Sequence, residues 1–359
     1  MKKYLIPLIL ISVLLVACKK TEKDTLTTPI IEEDRLILHT DVQRAYLSNT
    51  VDSVNLYARG VEELSRPLKS VFSWEGGAKP YTVFLSEKED YSDSLTYTTE
   101  KNEVIFTNLK IDTKYHYKVM DSESLIKEDS FLTSKEIVRN MYVSGVTNVR
   151  DLGGYTTSDG VLHQGLIYRT GRLNENCTEK VTNKINSNGI NTMLNEMKVK
   201  SEIDLRMVTN NEVGCLTEGT GVLGETVKYY QCPMDYNLSM DDEFNNIALR
   251  KVFSILGDES NYPTFFHCSI GTDRTGYVAW VINACLGVEE EYLWRDYLFS
   301  NFGNIGGKRN MDNIKGGYVQ KIKDFNGNTL KEKTTNYLLD KGVKQEEIDT
   351  LREMMLENN

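Results

Sequence analysis

Short runs in which apolar and polar residues alternate occupy the chain from about residue 35 to residue 134. The clearest runs are 81–85, 104–106 and 115–119. An alternation with a period of two predicts strands that bury one face and expose the other. Turn residues at 75–80 precede the first run, as a hairpin requires. The pattern predicts a small all-β sandwich over residues 35–134.

The pattern changes after about residue 134, where longer runs with helical spacing alternate with short apolar runs. Helices are predicted at 274–286 and 288–301. The residues Thr-Phe-Phe-His at 264–267 predict a compact buried strand directly before a glycine-bearing loop. We therefore expect an α/β domain over residues 140–356, with a central sheet flanked by helices, after the sandwich.

Composition limits the possible functions. The 359 residues exceed one ordinary core and suit two folded units. A net charge of −10 provides no basic field for a nucleic-acid backbone, so no nucleic-acid partner is expected. The cysteines after residue 18 lack the paired spacings of a zinc site or a disulfide framework, and we expect neither a metal nor another cofactor. These cysteines are Cys177, Cys215, Cys232, Cys268 and Cys285.

The first residues have the character of an export signal. Two lysines precede an apolar run at 4–17 that is too short to span a bilayer comfortably. The run ends in Leu-Val-Ala-Cys, which resembles the lipobox of bacterial lipoproteins. That resemblance implies a signal peptide over 1–18 and a lipid on Cys18 that anchors the protein to a membrane. An uncleaved membrane anchor is the alternative.

The residues after Cys18 add two expectations about placement. Residues 19–34 are rich in Lys, Thr and Glu, which is typical of a linker. Lys19 and Lys20 stand where lipoproteins retained at the inner membrane of enteric bacteria commonly carry aspartate. We therefore expect the protein in the cell envelope, at the outer membrane rather than the inner.

The chemistry of the chain is concentrated in residues 267–276, His-Cys-Ser-Ile-Gly-Thr-Asp-Arg-Thr-Gly. A loop between a strand and a helix can turn its backbone N–H groups inward and form a nest for an oxyanion. The same groups favour a thiolate at Cys268, and Arg274 offers a planar fork for two phosphate oxygens. We expect Thr275 to hydrogen-bond the thiolate. The candidate phosphate-binding residues are Ser269, Ile270, Gly271, Thr272, Asp273 and Arg274.

This segment resembles the phosphate-binding loop of protein tyrosine and dual-specificity phosphatases, in which five residues separate the cysteine from the arginine. Blocks at 148–155, 166–171 and 203–206 resemble the bacterial members, and the resemblance spans most of residues 140–356. It implies a cysteine-dependent phosphatase that forms a phosphocysteine on Cys268, with Arg274 as the phosphate clamp. The alternative is an ordinary buried cysteine with an arginine on a surface helix.

Other parts of the chain receive supporting roles. Gly271 suits a positive φ angle, and Asp204 and Arg206 suit a buried ion pair that braces the loop. Arg169 is a candidate for substrate contact. Residues 109–119 resemble a stretch of type III fibronectin and immunoglobulin-like domains, which supports the sandwich.

Two aspartates are candidates for the proton donor that a departing tyrosyl oxygen needs. Asp235 precedes the nucleophile by a separation similar to that of the mobile-loop acid in dual-specificity phosphatases. Asp273 lies inside the loop, where an aspartate is thought to serve as the acid in bacterial phosphatases of this type. We favour Asp273 because the rest of the domain resembles that bacterial group.

The substrate is expected to be a phosphorylated protein or a small phosphoester. Thr272 stands where many bacterial members and phosphoinositide phosphatases carry lysine, so an ammonium that could meet an extra phosphate is missing. Phosphotyrosine is therefore the leading substrate class, with phosphoserine and phosphothreonine as additions. An exported inositol-phosphate or lipid phosphatase and a non-catalytic phosphate-binding or adhesion lipoprotein are the alternatives. A rhodanese-type sulfurtransferase ranks last, because it has no need for the Arg-Thr-Gly helix start.

Overall fold

The computed structural model describes residues 26–174, 185–208, 212–213, 219 and 221–356. The predicted signal peptide and the lipidation site at Cys18 lie outside these residues, as do Cys177 and Cys215. Within the described ranges, no helix combines the length and the apolar character that crossing a bilayer demands.

The N-terminal region is built largely from strands, and β5, β7 and β8 confirm the three alternating runs. In the described residues, one sheet has the order β2-β3-β9-β8-β5-β6 and a second has the order β1-β4-β7. The elements are β1 (Leu26–Thr27), β2 (Ile31–Glu32), β3 (Arg35–Leu36), α1 (Asp41–Leu47), β4 (Lys69–Ser73), β5 (Tyr81–Ser86), β6 (Leu95–Thr99), β7 (Glu103–Phe106), β8 (Lys114–Met120) and β9 (Leu125–Thr133).

The two N-terminal sheets share an aromatic core. The ring of Phe72 on β4 lies 4.9 Å from that of Phe106 on β7 and 5.4 Å from that of Tyr117 on β8. Phe131 on β9 stacks on Phe72 at 5.0 Å. Aromatic pairs at these distances add to the free energy gained from burial alone. We call residues 26–36 and 67–134 together the β unit, and the likeness of this unit to fibronectin type III domains stays a prediction.

A helical segment, residues 37–66, interrupts the strands that the alternating pattern predicts. Thr40 caps α1, where its hydroxyl accepts from Gln43 N and its own N–H donates to the Gln43 side chain. A 3₁₀ turn at Val51–Leu56 follows. Tyr46 and Val54 are fully buried, and both belong to the core of the C-terminal unit. Within this segment, α1 and the 3₁₀ turn pack on the C-terminal unit, whereas Leu38 belongs to the core of the β unit.

The C-terminal unit, residues 138–356, confirms the predicted alternation of strands and helices. The strand predicted at 264–267 is β16, and the two predicted helices are α4 and α5. The elements are β10 (Arg150–Asp151), β11 (Thr156–Thr157), β12 (Gly160–Val161), β13 (Ile167–Thr170), α2 (Ser187–Asn191), β14 (Ser201–Asp204), β15 (Lys228–Gln231), α3 (Glu243–Leu256), β16 (Thr264–His267), α4 (Asp273–Cys285), α5 (Glu290–Phe299), α6 (Asp312–Ile314), α7 (Gln320–Lys323), α8 (Leu330–Asp340) and α9 (Gln345–Met355).

The main sheet of this unit places β16 at its centre. The order among the described strands is β10-β13-β16-β14-β15, and β16 runs parallel to both of its neighbours. All four residues of β16 are buried, as expected of a parallel strand covered on both faces. The carboxyl ends of β13, β14 and β16 therefore meet at one edge, which is where α/β sheets bind ligands.

Candidate active site

The loop of residues 268–272 connects the end of β16 to the start of α4 at this edge. Cys268 is only 2% exposed and lies at the base of the loop. Gly271 has a φ angle of +70°, which confirms the positive angle expected from the sequence. A Cβ atom at this position would lie 2.5 Å from the carbonyl oxygen of Thr170, so the turn requires glycine.

Two side chains hold the outer side of the loop. Asn148 Nδ2 donates to the carbonyl oxygens of Ile270 and Gly271, at 3.1 and 3.0 Å. Arg169 Nη2 donates to the same Gly271 oxygen at 2.7 Å. A loop whose carbonyls bond outward can turn its N–H groups toward the inside, as an anion-binding nest requires. Asn148 itself has a φ angle of +61°, which asparagine tolerates better than most residues.

Arg169 supports the loop and does not reach the solvent. Its side chain is fully buried, and its guanidinium also pairs with Asp296 on α5. Arg150 donates to the other oxygen of Asp296 at 2.8 Å. Burial raises the pKa of Asp296, but the two guanidinium groups outweigh burial and hold it below its ordinary value. The substrate-contact role considered for Arg169 therefore gives way to a bracing role.

The surroundings of Cys268 favour its ionised form. Burial raises the pKa of the thiol, whereas the charge of Arg274 and the nearby polar groups of Thr275 lower it. The lowering contributions prevail, and the pKa lies below its ordinary value. A thiolate is the nucleophilic form of cysteine, so this position is prepared for covalent chemistry.

Arg274 is fixed at the mouth of the loop by a carboxylate. Its Nη1 lies 2.7 Å from Glu212 Oε2 and its Nη2 lies 3.1 Å from Glu212 Oε1. Nη2 also donates to the hydroxyl of Ser269 at 3.2 Å. Burial raises the pKa of Glu212, and its hydrogen bonds with Arg274 and with Met207 N lower it below the ordinary value. The bidentate pair orients the guanidinium fork before any phosphate arrives.

Behind the nucleophile lies a buried network of charges. His267 Nε2 is 3.0 Å from Glu202 Oε1, and Asp204 Oδ2 accepts from Arg206 Nη2 at 2.7 Å, which confirms the predicted ion pair. Burial lowers the pKa of His267, but Asp204 and Glu202 raise it above the ordinary value. Among the described residues, Glu202, Asp204 and His267 also have the spacing of a metal site. The hydrogen bond between His267 and Glu202 and the pairing of Asp204 with the Arg206 guanidinium fit a braced ion-pair network better than a cation site.

The two candidate acids differ in their partners. Both oxygens of Asp273 accept from Arg309, with Nε and Nη2 each at 3.0 Å. Asp235 follows Met234, whose carbonyl oxygen accepts from Arg274 Nη1 at 3.2 Å. Asp235 Oδ1 accepts from Asn237 N and Nδ2, at 2.8 and 3.0 Å. Among the described residues, the hydrogen bonds of the Asp235 carboxylate are confined to that one oxygen.

The remaining loop residues divide into two kinds. Ser269 and Ile270 are half-buried, and the Ser269 hydroxyl faces the Arg274 fork. Thr272 is fully buried, and its hydroxyl oxygen accepts from Asn148 Nδ2 at 3.3 Å. The side chain of Thr272 therefore supports the loop and adds no group to the mouth.

Sequence reasoning did not foresee Arg309 or the role of Asn148. Arg309 is separated from Asp273 by 36 residues along the chain, and no local pattern links the two. Asn148 does stand in a block that resembles the bacterial phosphatases, but its side chain received no role. The signal that could have found it is an asparagine two positions before the Arg-Asp pair of β10, which lies in the main sheet.

A buried cysteine at a strand-to-helix loop, with an arginine six positions later, defines the cysteine-dependent phosphatases as a class. The model of the tyrosine phosphatase family matches residues 141–357, and this chain belongs to that family. The protein is therefore a phosphoester hydrolase that uses a cysteine. Curated proteins offer no match to this chain.

Solved structures that are similar to the chain include the following three. The core catalytic domain of the PP-IP phosphatase Siw14 from S. cerevisiae, in complex with citrate, is 16% identical, with 52% of this chain and 91% of that chain covered and a TM-score of 0.30. A second structure of the Siw14 catalytic core is 15% identical, with 56% and 95% covered and a TM-score of 0.31. A cysteine-to-serine variant of TpbA from P. aeruginosa, in complex with pTyr, is 15% identical, with 48% and 87% covered and a TM-score of 0.29.

Proposed function

We propose that the protein hydrolyses phosphotyrosine, and with it phosphoserine or phosphothreonine, through a phosphocysteine on Cys268. The observation that carries the proposal is the lowered pKa of Cys268 at the base of a loop whose carbonyls are held outward by Asn148 and Arg169. A thiolate in that position faces the phosphorus of a bound phosphoryl group. Arg274 would bind two of the equatorial oxygens.

In the first step the Cys268 sulfur attacks phosphorus as the bond from phosphorus to the tyrosyl oxygen breaks. The departing oxygen carries the bonding electrons and takes a proton from an aspartate. In the second step water attacks the phosphocysteine and gives a proton to the same aspartate, which releases inorganic phosphate and restores the thiolate. The loop N–H groups and Arg274 stabilise the charge of both transition states.

We propose Asp235 as the proton donor, which departs from the preference for Asp273 that the sequence suggested. A carboxylate that accepts from one arginine at both oxygens has little capacity left for a proton transfer, and Asp273 is in this position. Asp235 keeps one oxygen outside its hydrogen bonds with Asn237 and lies next to the carbonyl that contacts Arg274. Asp273 then serves to hold the loop against Arg309.

The substrate class follows from the charge at the loop. Thr272 is buried and supplies no ammonium, and Arg309 is already paired with Asp273. Neither residue therefore offers an unpaired positive charge to a second phosphate on the substrate. This supports a phosphomonoester of a protein side chain over an inositol phosphate or a phosphoinositide.

The experiment is a phosphate-release panel with the reduced protein on phosphotyrosine, phosphoserine and phosphothreonine peptides, inositol phosphates and phosphoinositide vesicles. We expect the highest kcat/KM on phosphotyrosine peptides and none in the Cys268→Ser variant. A higher kcat/KM on inositol phosphates or on lipid vesicles would contradict the proposed substrate. Binding of phosphate without any turnover would support the non-catalytic alternative.

We also propose that a lipid on Cys18 anchors the enzyme in the cell envelope, at the outer membrane. The support is the lipobox resemblance at residues 15–18 and the linker composition that follows. We expect a radioactive fatty acid to label the wild-type protein and not the Cys18→Ala variant. Equal labelling of the two proteins, or recovery of the wild type in the inner membrane alone, would contradict it.

A further inference from the structure

Residues 60–65, here called the bracing segment, lie in the helical segment and outside the residues that match the family model. They nevertheless contact the supports of the phosphate-binding loop on two sides. One contact runs from a carboxylate to Thr147 and, through Ser65, to the backbone of Asn148. The other runs through a glycine to the loop that carries Arg309.

The first contact is made by Glu63. Its Oε2 accepts from the hydroxyl of Thr147, and its Oε1 accepts from the backbone N–H of Ser65 at 3.2 Å. The Ser65 hydroxyl oxygen in turn accepts from the backbone N–H of Asn148 at 3.3 Å. Ser65 is only 2% exposed, and Asn148 is fully buried. Glu63 thus holds Thr147, which precedes Asn148 in the chain, and Ser65, which binds the backbone N–H of Asn148.

The second contact is made by Gly60. Its N–H donates to the carbonyl oxygen of Asn301 at 2.7 Å, and its own carbonyl oxygen accepts from Ile305 N and Gly307 N, at 3.1 and 2.9 Å. The side chain of Asn301 accepts from Arg309 N at 2.7 Å. Gly60 has a φ angle of +70°, and an added Cβ atom would lie 2.5 Å from the Gly307 oxygen. The loop that presents Arg309 is therefore tied to the bracing segment by backbone bonds.

We propose that Gly60, Glu63 and Ser65 are positioning residues of the phosphatase reaction. They act through Asn148, which binds the loop carbonyls, and through Arg309, which pairs with Asp273 at the start of α4. A displacement of catalytic groups by about 1 Å can cost a hundredfold in rate, so contacts that fix the supports of the loop affect the reaction. The inference rests on the cysteine-dependent activity. It assigns a role in that activity to residues that precede those matched by the family model.

The decisive substitutions test the hydrogen bond between Glu63 and Thr147 in the full chain. Thr147→Val removes the hydroxyl and keeps the shape, whereas Thr147→Ser keeps the hydroxyl. Glu63→Gln leaves one side-chain oxygen that can accept hydrogen bonds, whereas both oxygens of the Glu63 carboxylate accept them in the wild type. The matched control is Glu62→Gln, which changes the exposed neighbouring carboxylate.

Two quantities are measured for each variant: the affinity for inorganic phosphate by calorimetry, and kcat and KM on p-nitrophenyl phosphate. We expect Thr147→Val and Glu63→Gln each to weaken phosphate binding and lower kcat by about tenfold. Thr147→Ser and Glu62→Gln should match the wild type. The double variant should be no worse than the poorer single variant, because both remove the same contact.

Phosphate binding separates this inference from the proposed function, because it reports loop geometry even if turnover on every substrate fails. Melting temperatures separate positioning from folding. A Thr147→Val protein that melts lower but binds phosphate and turns over as the wild type does would overturn the inference. If Glu63→Gln does not fold, Thr147→Val decides alone, since it removes a single oxygen.

Discussion

The β unit and the C-terminal unit both have apolar cores, and they differ in the charged side chains that are buried beside those cores. Phe72, Phe106, Tyr117 and Phe131 form the aromatic centre of the β unit through ring contacts. The core of the C-terminal unit instead contains buried charges close to its loop, among them Arg169 and the residues of the network behind Cys268. Buried charges are costly unless they are paired, so this arrangement contributes position more than stability. Changes in the first unit should alter stability, and changes in the second should alter the reaction.

The largest effect is expected from Cys268→Ser, which should reduce kcat by at least about a thousandfold because the nucleophile is lost. The measurement is phosphate release from p-nitrophenyl phosphate. Cys285→Ser is the matched control, because Cys285 is buried in α4 and burial raises its pKa to about 12. Substantial turnover by Cys268→Ser would contradict the mechanism, and a comparable loss in Cys285→Ser would show that the effect is structural.

Arg274→Lys should follow with a loss of roughly a hundredfold to a thousandfold in kcat/KM, since an ammonium cannot replace the bidentate fork. The same assay measures it. Arg250→Lys is the control, because Arg250 pairs with Glu243 at the surface of α3. Equal activity of wild type and Arg274→Lys would mean that the guanidinium does not bind the phosphoryl group.

The proton donor is identified by comparing Asp235→Asn with Asp273→Asn on aryl phosphates whose leaving groups have different pKa values. Loss of the acid should lower kcat by about a hundredfold for poor leaving groups and much less for good ones. We expect this dependence for Asp235→Asn alone. The reverse pattern would restore Asp273 as the acid, and small equal effects would exclude both.

The charge network behind the loop predicts a pH dependence of stability. The pKa of His267 is raised in the folded protein by Asp204 and Glu202, against the lowering effect of burial. Such a group stabilises the fold fully below its unfolded pKa of about 6.5, and the contribution disappears as the pH rises through the folded pKa. His267→Asn should therefore lower the melting temperature most at about pH 5–6 and less at higher pH. A melting-temperature difference that is constant with pH would contradict this.

The smallest effect on the reaction is expected from Val83→Ala in the β unit. Val83 is fully buried, and its truncation should lower the free energy of unfolding by about 2 kcal/mol. Denaturant unfolding measures this change. At temperatures where the variant is folded, kcat/KM should equal that of the wild type. A loss of kcat/KM in the folded variant would mean that packing in the β unit also affects the reaction, which would contradict the comparison.

The sequence predicted what depends on local pattern. The strands at 81–86, 103–106 and 114–120, the strand at 264–267 and the glycine turn at 271 follow from alternation, burial and backbone sterics. The sequence did not predict α1, because its seven residues are stabilised by packing of Tyr46 on the distant C-terminal core. It also missed the pairing of Asp273 with Arg309, which depends on two loops meeting in space.

The central claim is that Cys268 becomes phosphorylated during turnover, and rapid acid quench of the enzyme with an aryl phosphate tests it most directly. Mass spectrometry of the digested protein should locate phosphate on the peptide that contains Cys268, with none in the Cys268→Ser variant. Steady turnover with no phosphate on that peptide, or phosphate on another residue, would contradict the account.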